Sequence, residues 1–224
     1  MDERRLAYLH ALGVDVWERR ERPLDPAARG PTDAAPCGAA GWEALAAEVA
    51  ACTRCALHRT RTQTVFGVGS RTARWMIVGE APGADEDRQG EPFVGRAGQL
   101  LTAMLRAAGC RRDQVFIANI LKCRPPENRN PLPEEVRQCL PYLSRQIAAI
   151  QPRLILALGR VAAHNLLGTD LPLGKLRGRV HAYGELQTPL IVTYHPAYLL
   201  RSPADKRKAW EDLQFAMRTC APLA

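Results

Sequence analysis

The chain has 224 residues, 46% hydrophobic and 24% charged, which is enough for one substantial core with a small appendage and excludes the disordered and membrane-spanning classes. Its formal net charge is +8 with pI near 9.4; residues 1–40 hold six Arg against seven Asp and Glu, and the excess of +9 falls on residues 41–224. No run reaches the roughly 18 apolar residues of a membrane helix, and MDERRLAYLH is too charged for a signal peptide, so an intracellular, cytoplasmic protein with no membrane partner is expected.

Leu6, Leu9, Leu12, Val16 and Trp17 predict a short amphipathic N-terminal helix, and the prolines and glycines of residues 23–40 predict a linker. Residues 1–40 are therefore set apart as an extension, and 41–224 as the main domain. From Trp42 the segment WEALAAEVAAC is helical in propensity and runs into Cys52 and Cys55. Trp75 to Val78, Val115 to Ile120, Arg153 to Gly159 and Pro189 to Tyr194 are apolar runs of strand length. Helices are expected over 95–108, 133–150, 161–167 and 204–219. Strands alternating with helices imply an α/β fold, a three-layer α/β/α sandwich around a mainly parallel four-stranded sheet.

Two constellations carry chemistry. After the first strand, GEAPGADEDRQGEPF breaks regular structure and gathers Glu80, Asp85, Glu86 and Asp87, at the strand end where open α/β sheets bind ligands. Cys52 and Cys55 form a C-x2-C pair, with Cys123 and Cys139 following sixteen residues apart. Four thiolates suit either zinc or an iron–sulfur cluster, and the spacing does not choose. Cys37, Cys110 and Cys220 read as ordinary thiols. Of the 31 basic residues 27 are Arg, which suits bidentate contact with phosphate.

Four segments, GEAPGADED, PFVGRAGQLL, ANILKCRPPENRNP and HPAYLLR, stand in order near strand ends and together with the cysteines resemble the family 4 uracil-DNA glycosylases, over roughly residues 42–220. The resemblance implies a monomeric enzyme that flips uracil out of single- or double-stranded DNA and hydrolyses its N-glycosidic bond. It implies a 4Fe-4S cluster on Cys52, Cys55, Cys123 and Cys139, and a bacterial or archaeal protein associated with the nucleoid. Phe93 is the expected stacking ring, and the backbone around Ala81 and Gly83 approaches the nucleotide. Asn119 pairs with uracil N3–H and O4 and meets cytosine with a mismatched donor; His195 stabilises the departing anion. Superfamily members that carry an Asp in the first motif use it to orient water. Ala81 stands in that neighbourhood here, which leaves Glu80 and Glu86 as rival candidates. Leu199 or Leu200 is expected to wedge into the duplex, with Arg201 and Ser202 on phosphates. Two alternatives stand beside hydrolysis. One is a relative that bonds covalently to the uracil site, which would carry a His in the loop after the second strand where CRPPENRNPLP has none. The other is a non-catalytic DNA-binding module.

Overall fold

The computed structural model describes residues 39–220. The expected N-terminal helix, most of the linker and Cys37 lie outside the described residues. Ala39 and Ala40, assigned to the linker, already belong to helix α1 (Ala39–Ala50).

Six strands form one sheet in the order β1-β3-β2-β4-β6-β5. Its centre is parallel: β3 (Phe116–Asn119), β2 (Trp75–Gly79), β4 (Leu154–Leu158) and β6 (Thr188–Thr193). These are the four strands the apolar runs predict. The expectation of a four-stranded sheet is corrected at its edges, where β1 (Val68–Gly69) and β5 (His181–Tyr183) pair antiparallel. Strands of two and three residues are too short to show a period, so the sequence does not reveal them.

The apolar runs are continuous because both faces of the sheet are covered. Met76, Val78, Phe116, Ala118, Ile155, Ala157, Leu190 and Val192 point to one side, against Trp42, Leu45 and Val49 of α1 and Val136, Leu143 and Ile147 of α4 (Pro133–Ile150). The alternate residues Trp75, Ile77, Ile117, Leu154, Leu156, Leu158 and Ile191 point to the other. There they meet Leu101 and Leu105 of α3 (Arg96–Ala107) and Leu213 and Ala216 of α8 (Lys206–Thr219). Truncating any of these fully buried leucines to Ala would cost about 2–5 kcal/mol. Between the long helices lie α2 (Ala84–Gln89), α5 (Gly159–Leu167), α6 (Leu173–Leu176) and α7 (Pro196–Arg201). Among the described residues no helix is long and apolar enough to cross a membrane.

Candidate active site

The parallel register brings the carboxyl ends of β2, β3 and β6 to one edge of the sheet. Gly79, the last residue of β2, pairs with Asn119, the last of β3. A Cβ at Gly79 would collide with Asn119 Oδ1 and stand 2.6 Å from Phe93 Cζ, so only glycine lets these two side chains meet over the strand end. They line a cavity of about 460 Å³ that is also bordered by Glu80, Ala81, Gly83, His195 and Arg201. The cavity gathers most of the residues the sequence singles out for substrate binding and chemistry.

Asn119 is only 1% exposed, and its Oδ1 accepts no hydrogen bond among the described residues. An unmade hydrogen bond on a buried polar atom costs roughly 1–3 kcal/mol. The unpaired oxygen lies against Gly79 at the strand end, in a residue that borders the cavity. Phe93 beside it is buried and adopts φ +56°, a left-handed conformation that a bulky residue takes only under constraint.

The constraint comes from Glu86. Its Oε1 accepts from the backbone N–H of Val94 (2.9 Å) and Gly95 (3.2 Å), and its Oε2 from that of Gly83 (3.1 Å). One carboxylate thus caps α2 and pins the chain immediately after Phe93. Both oxygens are engaged, which gives Glu86 a structural task in holding this loop, although it also borders the cavity. Asp87 is buried and accepts from the backbone N–H of Thr62 at 2.9 and 3.1 Å, and Asp85 pairs with Arg88 at the surface. Of Glu80, Asp85, Glu86 and Asp87, only Glu80 lacks a hydrogen-bond donor among the described residues. Burial pushes its carboxyl above the ordinary range, and the positive charge of Arg160 pulls it partly back.

His195 follows β6 and caps α7. Its Nδ1 accepts from the backbone N–H of Ala197 at 3.1 Å, so the neutral ring carries its proton on Nε2. Burial first, and then the charge of Arg201, lower its pKa to about 4, while Glu86 opposes the shift. The ring is therefore an uncharged donor at neutral pH. It lies 5.6 Å from the Phe93 ring, and a Cβ at Gly159, whose φ is +84°, would come within 2.8 Å of His195 Cβ. The helix that follows β4 thus begins on a glycine, where the histidine can approach.

Two groups of residues around the site carry no clear signal in the sequence. Arg177 donates to both oxygens of Asp212 (2.7 and 3.0 Å), which also accepts from Thr193 Oγ1 at 2.7 Å. Above this bridge the Arg177 guanidinium covers Tyr194, and Tyr194 stacks on Tyr198. The segment carrying His195 is thereby fixed from beneath. Across the cavity, Arg129 donates to both oxygens of Glu135 (2.9 and 2.6 Å) and holds the wall formed by Asn128 to Asn130. Both are long-range arrangements of common residue types.

The helix α7 sorts the expected DNA-facing residues. Arg201 is exposed, Ser202 and Leu200 are half-buried, and Leu199 is 1% exposed. Leu199 points back toward α3 and α8, where it lines an apolar groove with Leu100, Met104 and Leu213. This corrects its candidacy as a wedge, because one helical step separates a core position from a surface one, and it leaves Leu200.

Away from this cavity, Cys52, Cys55, Cys123 and Cys139 line a single cavity beneath α1 and α4. Arg61 Nη1 donates to Cys123 Sγ at 3.0 Å, and the backbone N–H of Lys122 donates to Cys139 Sγ at 3.2 Å. Donors aimed at sulfur suit thiolates in a metal site. Among the described residues no group of three or more His, Cys, Asp or Glu converges to hold a metal ion. Cys110 and Cys220 lie in the core on the opposite face of the sheet, where burial, with Cys220 adding to it, pushes the Cys110 thiol up to about 11.

Comparison with known proteins agrees with this geometry. The family model described as the Uracil DNA glycosylase superfamily matches residues 66–214. A type-4 uracil-DNA glycosylase of Archaeoglobus fulgidus is 45% identical over 180 residues, 77% of this chain and 90% of that protein. Those of Pyrobaculum aerophilum and Thermotoga maritima are 48% and 44% identical over 168 and 178 residues, covering 72% and 78% of this chain and 86% and 92% of theirs. The chain belongs to the type-4 uracil-DNA glycosylases of the uracil-DNA glycosylase superfamily.

Proposed function

We propose that this protein removes uracil from DNA by hydrolysing the N-glycosidic bond, leaving an abasic site, and so begins the repair of deaminated cytosine. The observation that carries the reading is the unpartnered Oδ1 of Asn119 in the wall of the strand-end cavity. A base must leave the helical stack before chemistry can reach its glycosidic bond. Phe93 offers the flipped pyrimidine a stacking face. The Asn119 amide accepts from N3–H and donates to O4, whereas cytosine presents an amine where the acceptor is needed and an unprotonated N3 where the donor is needed. The backbone of Ala81 and Gly83 closes on the nucleotide.

Bond cleavage leaves negative charge on uracil and positive character on the sugar. The neutral His195 ring donates its Nε2 proton in a hydrogen bond to uracil O2, stabilising the anion without transferring a proton. Glu80, free of structural hydrogen bonds, orients the attacking water and faces the developing sugar cation. Leu200 fills the gap left by the flipped nucleotide while Arg201 and Ser202 contact phosphates. Cys52, Cys55, Cys123 and Cys139 hold a 4Fe-4S cluster. When bound, the cluster supplies a structural tie that orders the Cys52 turn and the Cys123 loop, and no reacting group. The enzyme acts as a monomer on chromosomal DNA, single- or double-stranded, in the cytoplasm.

The test is release of free uracil from a single-stranded uracil-containing oligonucleotide by iron-loaded protein. Asn119→Ala is expected to abolish release while sparing DNA affinity. No released base would defeat the reading, and a denaturation-resistant protein–DNA adduct would favour the covalent alternative.

A further inference from the structure

Lys122 stands between the two cavities. It is 1% exposed, yet lysines are rarely fully buried without a charged partner. Its Nζ donates to the main-chain carbonyl of Asn119 at 3.0 Å and to Gln146 Oε1 at 2.7 Å. Gln146 is held in turn by its own amide, which donates to the Phe66 carbonyl at 2.9 Å. Lys122 also borders the cysteine cavity, where its backbone N–H reaches Cys139 Sγ. No carboxylate pairs with the ammonium among the described residues; the groups it reaches are the two neutral oxygens of Asn119 and Gln146.

A buried ammonium facing only neutral acceptors costs several kcal/mol unless an anion lies close by. Metal-bound thiolates of Cys52, Cys55, Cys123 and Cys139 in the adjoining cavity would be such an anion. The same ammonium ends its reach on the carbonyl of the residue whose side chain faces the strand-end cavity. Asn119 closes β3, and beyond it the chain turns within three residues to reach Lys122, so the lysine folds back over the strand end it follows.

We propose that Lys122 is a positioning residue that ties the cysteine site to base recognition: drawn by the negative charge of the cysteine sulfurs, its ammonium fixes the Asn119 carbonyl and with it the direction of the Asn119 amide. The proposal rests on reading the four cysteines as an iron–sulfur site and Asn119 as the reader of uracil. Discrimination of uracil from cytosine then depends on the charge held by the cysteine site, while general affinity for DNA does not.

The experiment compares iron-loaded wild-type protein with Lys122→Met, which keeps chain length and removes the charge. Iron content, the cluster's reduction potential, and affinity for oligonucleotides bearing 2′-fluorodeoxyuridine or cytidine at one position are measured. Lys122→Met is expected to retain iron, to have a more negative potential through loss of a nearby buried cation, and to lose about tenfold in uracil-over-cytosine preference, the worth of one positioning hydrogen bond. Affinity for the cytidine oligonucleotide stays unchanged. Gln146→Leu keeps the charge and removes one acceptor; it is expected to lower the preference by less, at unchanged potential, and it carries the test if Lys122→Met does not fold. A lysine that merely filled space would leave the potential alone. Wild-type potential and preference in an iron-loaded Lys122→Met protein would overturn the proposal alone, whereas wild-type protein that binds no iron would overturn the cluster reading and the proposal together.

Discussion

Glu80 and Glu86 lie six residues apart in one loop, and the structure predicts opposite consequences when each is made neutral. Glu86 accepts from the backbone N–H of Gly83, Val94 and Gly95 at 3.1, 2.9 and 3.2 Å. In Glu86→Gln one oxygen becomes a donor, so either Gly83 or the Val94–Gly95 pair faces N–H with N–H. Hydrogen bonds to a charged acceptor are worth roughly 1.5–3 kcal/mol. The clamp also holds Phe93 at φ +56°, a conformation whose intrinsic cost is about 1–3 kcal/mol. A loss of about 2 kcal/mol corresponds to a fall in Tm of roughly 4–8 °C for a domain of this size. Glu80→Gln breaks no hydrogen bond, and burial already disfavours the ionised form, so stability stays within ~0.5 kcal/mol or rises. Its single-turnover rate of uracil release should fall about 10²–10⁴-fold. Thermal unfolding by circular dichroism and single-turnover release with enzyme in excess separate the two. A stable but inactive Glu86→Gln beside an unstable, active Glu80→Gln would refute the assignment.

His195 titrates near 4 in the folded protein against an ordinary value of 6.5. Because the folded value is the lower one, its contribution to stability is full above about 6.5 and is lost as pH falls toward 4. NMR should find the imidazole neutral at pH 5.5, and a midpoint near 6.5 would contradict its desolvated setting. Leu199→Ala is expected to cost about 2–5 kcal/mol in denaturant unfolding. Leu200→Ala should leave unfolding nearly unchanged and slow release from duplex more than from single-stranded DNA. Asp212→Ala strands Arg177, which is largely buried, and should cost about 3–5 kcal/mol in the same unfolding measurement, with Asp212→Asn recovering part of it.

The parallel core was legible because strands buried on both faces must be apolar throughout, and Trp75–Val78 and Leu154–Leu158 are. The edges were not: Val68–Gly69 and His181–Tyr183 form strands through pairing with β3 and β6, a long-range condition that leaves no local period. Helix α4 was legible from Pro133 and the acidic pair that follows it. Helix α7 was not, because Pro196–Arg201 spans fewer than two turns, and that is why Leu199 and Leu200 could not be told apart.

Within the site, Asn119 and His195 stood out because a polar residue closing an apolar strand has few local partners, and the structure leaves the Asn119 oxygen without one. The carboxylates stood out because they crowd one loop, and sequence could not sort them, since their partners lie outside it: Thr62 for Asp87, and Val94 and Gly95 for Glu86. Residue type marks a group as able to do chemistry; only the fold shows which of those groups are already occupied. Lys122 is the converse case. As one lysine in a basic chain it carries no signal, and it becomes informative only when burial leaves its ammonium on two neutral oxygens beside the cysteine cavity. A residue that is ordinary in sequence and costly in structure is where a link between the cysteine site and Asn119 is best sought.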